Sequence, residues 1–303
     1  MKNIIIRVLK SKPMIFIDQM IFRIGDDDII PTGGLLTYFI ILSIFPFLIL
    51  FLNILSYTPL VSPNIINDAL DYLPVEAGNI LSSFIDDLVT GSGQGLLSLA
   101  AIGGIWSASA GVKPMIMAIN RAYDFEETRS YFKVKGLSIV FTLALLGLLI
   151  LVILTLVFGE IIGQQVFGLF NLGHAFVAIW NYIRYIIPIA FMVIIFSLLY
   201  KNSPCVPDNK KIKFKNTVPG GIFATLGWIL ASALFSFYVN NFANYSVTYG
   251  ALGGIIVMLI WLYMSSIIIL VGGEFNATLR YFRLNGYVRN DDMSVFIKLD
   301  RLL

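Results

Sequence analysis

Long apolar stretches recur along the chain, and short polar segments separate them. Each stretch reaches about 20 residues, the length of helix that crosses roughly 30 Å of hydrocarbon. The pattern predicts an all-α membrane protein, a single transmembrane domain over residues 1–303 built as a bundle of six spanning helices. The predicted spans are 32–57, 95–118, 137–158, 176–200, 219–239 and 250–275.

Basic residues fall on alternate connecting segments. All Lys and Arg residues except Arg184 lie in the N-terminal segment, from the end of the second span to the start of the third, between the fourth and fifth spans, or in the tail 276–303. The connections 58–94, 160–175 and 240–249 contain none. Since basic loops stay in the cytoplasm, this alternation predicts that both termini are cytoplasmic.

Two further segments are apolar without being long enough to span. Residues 12–24 predict a helix lying along the cytoplasmic interface. Residues 61–93 carry apolar positions at helical spacing and acidic but no basic side chains, which predicts two amphipathic helices in the first outer loop. These helices either rest on the bundle as surface elements or form a lid over an outward cavity.

The amino-acid composition agrees with a membrane protein and limits the catalytic and metal-binding chemistry that the chain can perform. Apolar residues make up 58% of the chain and charged residues 13%, against about 25% charged residues in soluble proteins. Cys205 and His174 are the single cysteine and histidine. We therefore predict no metal site, no cofactor, no catalytic residues and no enzymatic activity. No recognised RNA-binding motif accompanies the lysines within 210–215, so we predict membrane lipids and no nucleic acid as partners.

Ionisable groups at membrane depth are the candidate functional residues, because burying them there is costly. Arg184 lies inside the fourth span, and Glu160, at the outer end of the third, is its nearest predicted partner. Lys113 and Glu274 form a second candidate pair near the cytoplasmic ends of the second and sixth spans. Each pair could line a substrate or ion path, or serve as a structural pair or a snorkelling side chain.

Small residues at four-residue spacing predict close helix contacts, because packing rather than the hydrophobic effect holds helices together in lipid. They occur in the second, fifth and sixth spans, which we expect at the centre of the bundle. The repeats are Gly103, Ser107 and Gly111; Gly220 and Ala224; Gly227 and Ala231; and Gly250 and Gly254.

Four stretches together resemble the YihY/BrkB family of bacterial membrane proteins. They are LTYFIILSIFPFLILFL at 36–52, IWSASAGVKPMIMAINRAYDFEETRSYFKVK at 105–135, VPGGIFATLGWILASALFSFYV at 218–239 and YGALGGIIVMLIWLYMSSIIILVGGEFNA at 249–277. Family-motif positions recur within these stretches. They include Tyr38, Ser43, Pro46, Trp106, Asn120, Arg121, Tyr123, Gly250 and Trp261.

The resemblance implies a multi-pass protein of the bacterial cytoplasmic membrane. Members carry an old ribonuclease BN-like label, one branch is called a serum-resistance virulence factor, and another is tied to export of lipid precursors. The motifs transfer no catalytic residue to this chain, so ribonuclease activity is not expected.

Two functional hypotheses follow. The first is a transporter or lipid-flippase-like protein of the cell envelope, acting on an anionic lipid or a small molecule. The alternative is a non-transporting membrane scaffold for envelope assembly. A polar cavity lined by Arg184 or Lys113 would favour the first, and a sealed core the second. The substrate and the oligomeric state stay open.

Overall fold

The computed structural model describes residues 11–56, 94–152, 155, 174–207, 211–242, 252–287 and 294–296. A short 3-10 helix, Phe214–Asn216, lies within these ranges. The outer-loop helices predicted over 61–93 lie outside them. The long helices are α1 (Lys12–Asp26), α2 (Ile29–Ser56), α3 (Gln94–Ala122), α4 (Tyr131–Val152), α5 (His174–Asn202), α6 (Val218–Phe242) and α7 (Leu252–Asn285).

The all-α membrane class is confirmed. The part of the chain that is described contains no β-strand. Five predicted spans correspond to helices long and apolar enough to cross a membrane, and the first falls within α2, where Ile29–Ser43 is a shorter apolar stretch. The number of six spans stays a prediction. The five helical stretches are Ile102–Ala122, Tyr131–Val152, Tyr182–Asn202, Val218–Asn241 and Leu252–Asn285.

The chain divides into two compact units. One combines Met1–Thr37 with Val112–Leu303, and the other is Tyr38–Gly111. Within the smaller unit, a Cβ atom on Gly111 would lie 3.2 Å from the Cβ of Phe39, so the two helical segments approach closely there. The larger unit contains the apolar core and every residue of the site described below.

Helix α6 packs against both α5 and α7. A Cβ atom on Gly220 would collide with the side chain of Asn276 and the carbonyl of Gly272. On Gly221 it would collide with the hydroxyl of Ser197. The glycines at the start of α6 therefore let three backbones meet, as predicted for Gly220. By contrast, no described atom lies within 4 Å of a Cβ built on Gly103.

A buried amide joins α6 to α7. The backbone N–H of Gly220 donates to Asn276 Oδ1 at 2.8 Å, and Asn276 Nδ2 donates to the Thr217 carbonyl at 2.8 Å. The first N–H groups of a helix have no partner within that helix. The hydroxyl of Thr217, directly before α6, donates to the Phe214 carbonyl, so Asn276 supplies the cap of α6 from α7.

Among the described residues, one face of α6 is exposed. Leu226, Leu230, Leu234 and Phe237 repeat at helical spacing and are each about 60% exposed. In a membrane such a stripe faces lipid, because hydrocarbon solvates leucine as well as a protein core does. The fifth span is therefore central on one face and lipid-facing on the other.

The N-terminal helix α1 packs against the last turns of α7. In α1, Phe16 packs against Phe275 and Phe282 of α7, with ring centres 5.3 and 6.0 Å apart. The buried Asp18 accepts the backbone N–H groups of Val295 and Phe296 at 2.9 and 3.0 Å. Part of the C-terminal tail is thus held against α1, and α7 continues past the predicted end of the sixth span to Asn285.

We expect Gly220→Ala to destabilise the protein by about 1–3 kcal/mol, the usual cost of overpacking a close contact. Gly103→Ala is the matched control, and it should be neutral or stabilising by up to about 1 kcal/mol, because alanine is the better helix former. Thermal unfolding of both variants in detergent checks the prediction. Equal melting temperatures for the two variants would contradict it.

Candidate functional site

Arg23 joins α1 to the end of α3. Its side chain is 3% exposed. One terminal nitrogen donates to the Ala122 carbonyl at 2.8 Å, and the other donates to Asp124 Oδ2 at 2.9 Å. Because the last carbonyls of a helix lack partners and carry partial negative charge, a buried guanidinium is well placed there. The contact sets the position of α1 relative to α3.

The neighbouring family-motif residues of α3 also bind other elements at this end of the bundle. Asn120 is buried, and its Oδ1 accepts the backbone N–H of Cys205, which follows α5, at 2.6 Å. Arg121 donates to the backbone carbonyl of Asp27 at 3.3 Å. Two motif positions thus have structural roles that the sequence alone did not assign.

An ion pair stabilises the segment between α3 and α4. Arg129 Nε donates to Glu127 Oε1 at 2.7 Å, and Arg129 also donates to the carbonyls of Asn202 and Ser203 at 3.1 and 2.6 Å. Burial acts to raise the pKa of Glu127, but the hydrogen bonds and charge of Arg129 outweigh it and lower that pKa. The segment is therefore attached to the end of α5.

A cavity of about 670 Å³ opens beside this segment. Its lining joins the end of α3, the 3-10 helix region and the last turns of α7. It combines three cationic side chains with amides and aromatic rings, and Asp124 is its single carboxylate. The residues are Ala122, Tyr123, Asp124, Phe125, Lys211, Ile212, Asn216, Asn276, Ala277, Arg280, Tyr281, Arg283, Leu284 and Asn285. We call this space the basic cavity.

Arg280 lies among aromatic rings on one wall of the basic cavity. Its guanidinium carbon is 5.9 Å from the ring centre of Tyr123 and 5.3 Å from that of Phe125. Such contacts hold a guanidinium plane by cation–π attraction. Burial raises the pKa of Tyr123, and the charge of Arg280 only partly offsets this effect, so the phenol stays protonated. The wall therefore presents positive charge and a hydroxyl donor.

A buried pair of carboxyl groups lies behind Arg23. Glu274 of α7 is fully buried, and Asp27, in the turn between α1 and α2, is 8% exposed. The two side chains are within hydrogen-bonding reach of each other. Among the described residues, no N–H or O–H group donates to either oxygen of Glu274. Burial raises the pKa of Asp27, and its contacts with Glu274 and Arg23 only partly offset this.

Of the two candidate pairs chosen from the sequence, the structure does not bring Lys113 and Glu274 together, and the pairing of Arg184 with Glu160 stays a prediction. Lys113 is exposed, with its ammonium 5.4 Å from the ring centre of Tyr131, whereas Glu274 lies beside Asp27. The guanidinium carbon of Arg184 is 5.2 Å from the ring centre of Tyr185, and Glu160 lies outside the described residues. Neither the basic cavity nor the second described cavity is lined by Lys113 or Arg184.

Other motif positions have packing roles. Trp261 donates from its indole nitrogen to Ser232 Oγ at 3.1 Å, and it packs edge-on against Trp228. Ser43 donates to the Phe39 carbonyl one turn earlier at 2.6 Å. Tyr38 is more than half exposed, and Trp106 is half exposed. Pro46 lies within α2, and Gly250 lies outside the described residues.

Sequence reasoning missed Arg23, Asp27 and Arg280 as site residues. It counted the charges of Arg23 and Arg280 as topology signals and gave Asp27 no functional role. A signal was present for Asp27, because an acidic run directly follows an apolar segment that contains Arg23. Nothing in the sequence indicated that this segment returns to the last turns of the sixth span.

Two further features bound the chemistry. A second cavity of about 380 Å³ lies between α6 and α7, toward the end of α6, with Ser232, Asn240 and Trp261 in its lining. Among the described residues, no group of three or more His, Cys, Asp or Glu side chains is placed to hold a metal ion.

Comparison with known proteins places the chain in context. The sequence profile of the family described as Virulence factor BrkB matches residues 20–294. The ribonuclease-like protein YfkH of Bacillus subtilis is 41% identical over 244 residues, which cover 80% of this chain and 87% of that protein. No solved structure gives a significant match.

Shorter similarities connect the chain to UPF0761 membrane proteins. The protein IL2447 of Idiomarina loihiensis is 31% identical over 106 residues, covering 35% of this chain and 36% of that protein. A homologue from Tolumonas auensis is 39% identical over 92 residues, covering 30% and 29% respectively. The chain thus spans about a third of these two relatives and most of YfkH.

We expect Arg23→Met to lower the free energy of unfolding by about 1.5–3 kcal/mol, the range for losing charge-assisted hydrogen bonds at a buried site. The substitution keeps an apolar stem but leaves the Ala122 carbonyl without its donor. Arg283→Met, at an exposed arginine, is the control and should change stability by less than about 0.5 kcal/mol. Thermal unfolding in detergent measures both effects, and an unchanged midpoint for Arg23→Met would contradict the role given to Arg23.

Proposed function

Because the chain belongs to the family described as Virulence factor BrkB and resembles membrane proteins of the UPF0761 group, we propose that it is a transporter of the cell envelope. Its substrate is an anionic amphiphile, a lipid or lipid precursor with a negatively charged headgroup. The protein lies in the bacterial cytoplasmic membrane and moves this molecule between the two leaflets. The observation that carries the proposal is the basic cavity at one end of a membrane bundle.

The size and chemistry of the basic cavity support this substrate class. Its volume of about 670 Å³ falls within the roughly 300–1,000 Å³ of small-molecule sites. Arg280, Arg283 and Lys211 contribute positive charge to its lining. Guanidinium groups bind phosphate and carboxylate oxygens through two parallel hydrogen bonds, which gives them an advantage for such headgroups.

The position of the cavity supports loading from the cytoplasm. It lies at the end of the bundle where α3 ends, α6 begins and α7 ends, and these segments carry the basic residues. By the distribution of positive charge, this end faces the cytoplasm in the proposal. An amphiphile made inside the cell then meets the cationic side chains before its apolar part enters the membrane.

The rival function is a membrane scaffold, and one observation favours it. The collisions expected at Gly220 and Gly221 show that α5, α6 and α7 are tightly packed near the start of α6. If α5, α6 and α7 stay packed in this way, a molecule in the basic cavity has no path between these helices into the membrane. A protein of this kind would bind anionic partners without moving them.

Ribonuclease chemistry is not part of the proposal, although YfkH carries the words ribonuclease-like in its name. His174 is the single histidine of the sequence. In the lining of the basic cavity, Tyr123 is held protonated by burial, and the single carboxylate, Asp124, is engaged in an ion pair with Arg23.

We expect purified protein in liposomes to speed the movement of a fluorescent phosphatidylglycerol between leaflets, measured by dithionite quenching. Fluorescent phosphatidylcholine, whose headgroup has no net charge, should move more slowly. The double variant Arg280→Gln/Arg283→Gln should reduce phosphatidylglycerol movement at least about tenfold, which corresponds to about 1.4 kcal/mol of lost headgroup binding.

The matched control is Lys133→Gln, which removes an exposed cation near the start of α4 outside the cavity. It should move phosphatidylglycerol at the wild-type rate. If the wild type binds anionic vesicles but moves neither lipid, with or without a pH gradient, the scaffold function replaces the transporter. Equal rates for the double variant and the control would remove the basic cavity from the substrate path.

A further inference from the structure

Two carboxyl groups lie side by side inside the protein, and the neighbouring cations are too few to balance the charge of both. Glu274 is fully buried in α7, and Asp27 reaches it from the turn between α1 and α2. Each oxygen of Glu274 is buried without a described N–H or O–H donor. A buried carboxylate normally accepts several hydrogen bonds or pairs with a cation, because it loses its hydration otherwise.

Arg23 is the cation whose charge acts on both members of this pair, but its hydrogen bonds go elsewhere. Its two terminal nitrogens donate to the Ala122 carbonyl and to Asp124. Its remaining Nε atom is buried and has no described acceptor. One guanidinium charge is therefore shared among three carboxyl groups, and the pair cannot be fully ionised without net negative charge in a buried place.

The other charged and titratable groups around the pair do not change this balance. Asp26 and Asp124 add negative charge near Asp27. The charge of Glu274 acts on Tyr123 together with those of Arg280 and Arg283, and the phenol is held protonated. The charged groups that act on the pair are Arg23 and Asp26 from α1 and Asp124 from the segment after α3, and Arg121 of α3 donates to the backbone carbonyl of Asp27.

We propose that Asp27 and Glu274 form a binding site for a single proton, held in a hydrogen bond between the two carboxyl groups. One carboxyl group donates and the other accepts, which gives Glu274 the partner that no other described group supplies. The proton joins the α1–α2 turn to α7 and leaves the guanidinium of Arg23 for Asp124 and the α3 terminus. Asp124, whose negative charge acts on both carboxyl groups, is part of the lining of the basic cavity, as is Asn276, which follows Glu274 in α7.

A proton suits this site better than a metal cation. Sodium or potassium ions need five or more oxygen ligands and repel a guanidinium, whereas a shared proton needs two oxygens and tolerates Arg23 nearby. The raised pKa of Asp27, which burial causes, agrees with proton binding. The inference does not depend on the proposed transport, and its failure would leave the headgroup role of the basic cavity intact.

Infrared difference spectroscopy of the full-length protein tests the site directly. We expect the wild type at neutral pH to show a C=O stretching band of a protonated carboxyl group that shifts when water is exchanged for D₂O. Asp27→Asn and Glu274→Gln should each remove this band. Two variants on different elements keep the test valid if one of them fails to fold. Asp26→Asn, at an exposed neighbour of Asp27, should leave the band unchanged.

Several outcomes would overturn the proposal. They are the absence of the band in the wild type, its persistence in both variants, and its loss when sodium or potassium is added at constant pH. The last result would make a metal cation the ligand. Loss of the band in Asp26→Asn would place the proton on the exposed part of the turn instead.

The pH dependence of stability gives a second measurement with a defined sign. The pKa of Asp27 in the folded protein is raised above its value in the unfolded chain, which is near 3.8. Such a carboxyl group stabilises the fold fully at pH values below its unfolded pKa, and this stabilisation is lost as the pH rises through its folded pKa. The melting temperature of the wild type should therefore fall over this range. Asp27→Asn should flatten that fall, and an unchanged slope would contradict proton binding by the pair.

Discussion

The guanidinium of Arg23 is buried where α1 reaches the end of α3, and the geometry of the basic end of the bundle depends on its hydrogen bonds. It supplies a donor to the Ala122 carbonyl, which no residue of α3 can reach. It also holds Asp124 at the rim of the basic cavity. The same side chain leaves Asp27 and Glu274 without a dedicated cation. The buried charge of Arg23 thus caps α3, holds Asp124 in the cavity lining and acts on the buried carboxyl pair.

Close packing of α5, α6 and α7 provides the rigid surroundings in which this charge can stay buried. Tyr200 donates from its hydroxyl to the Ile269 carbonyl at 2.6 Å, and Gly272 leaves room for that ring. Asn276 then joins α7 to the start of α6. Since these contacts lie directly before Arg280 and Arg283 along α7, they orient the cationic wall of the cavity. The described part of the family-motif stretch 249–277 therefore acts mainly through packing, and the charged residues of the candidate site lie at its end or just beyond it.

The candidate site could be predicted only in part. Glu274 was selected from the sequence because a carboxyl group in a span is costly, and the structure places it in a buried pair. Its partner was predicted to be Lys113 and is Asp27. The prediction paired the two residues by their opposite charges and did not take into account which side chains are buried. Lys113 is exposed on α3, with its ammonium group over the Tyr131 ring. A long, flexible lysine side chain can extend from its helix toward water, whereas the short carboxyl group of Asp27 is confined by its turn.

The sequence by itself determined the membrane class, the position of five spans and the concentration of basic residues at one end. These are local properties, because apolar length and the charge of each loop do not depend on which helices touch. Only the tertiary structure decided that α1 packs on α7, that Arg280 and Arg283 share a cavity with Lys211, and that Asp27 meets Glu274. Such contacts join residues far apart in the chain. They depend on glycine-permitted helix approach and on backbone groups at helix ends, which no periodic pattern in the sequence records.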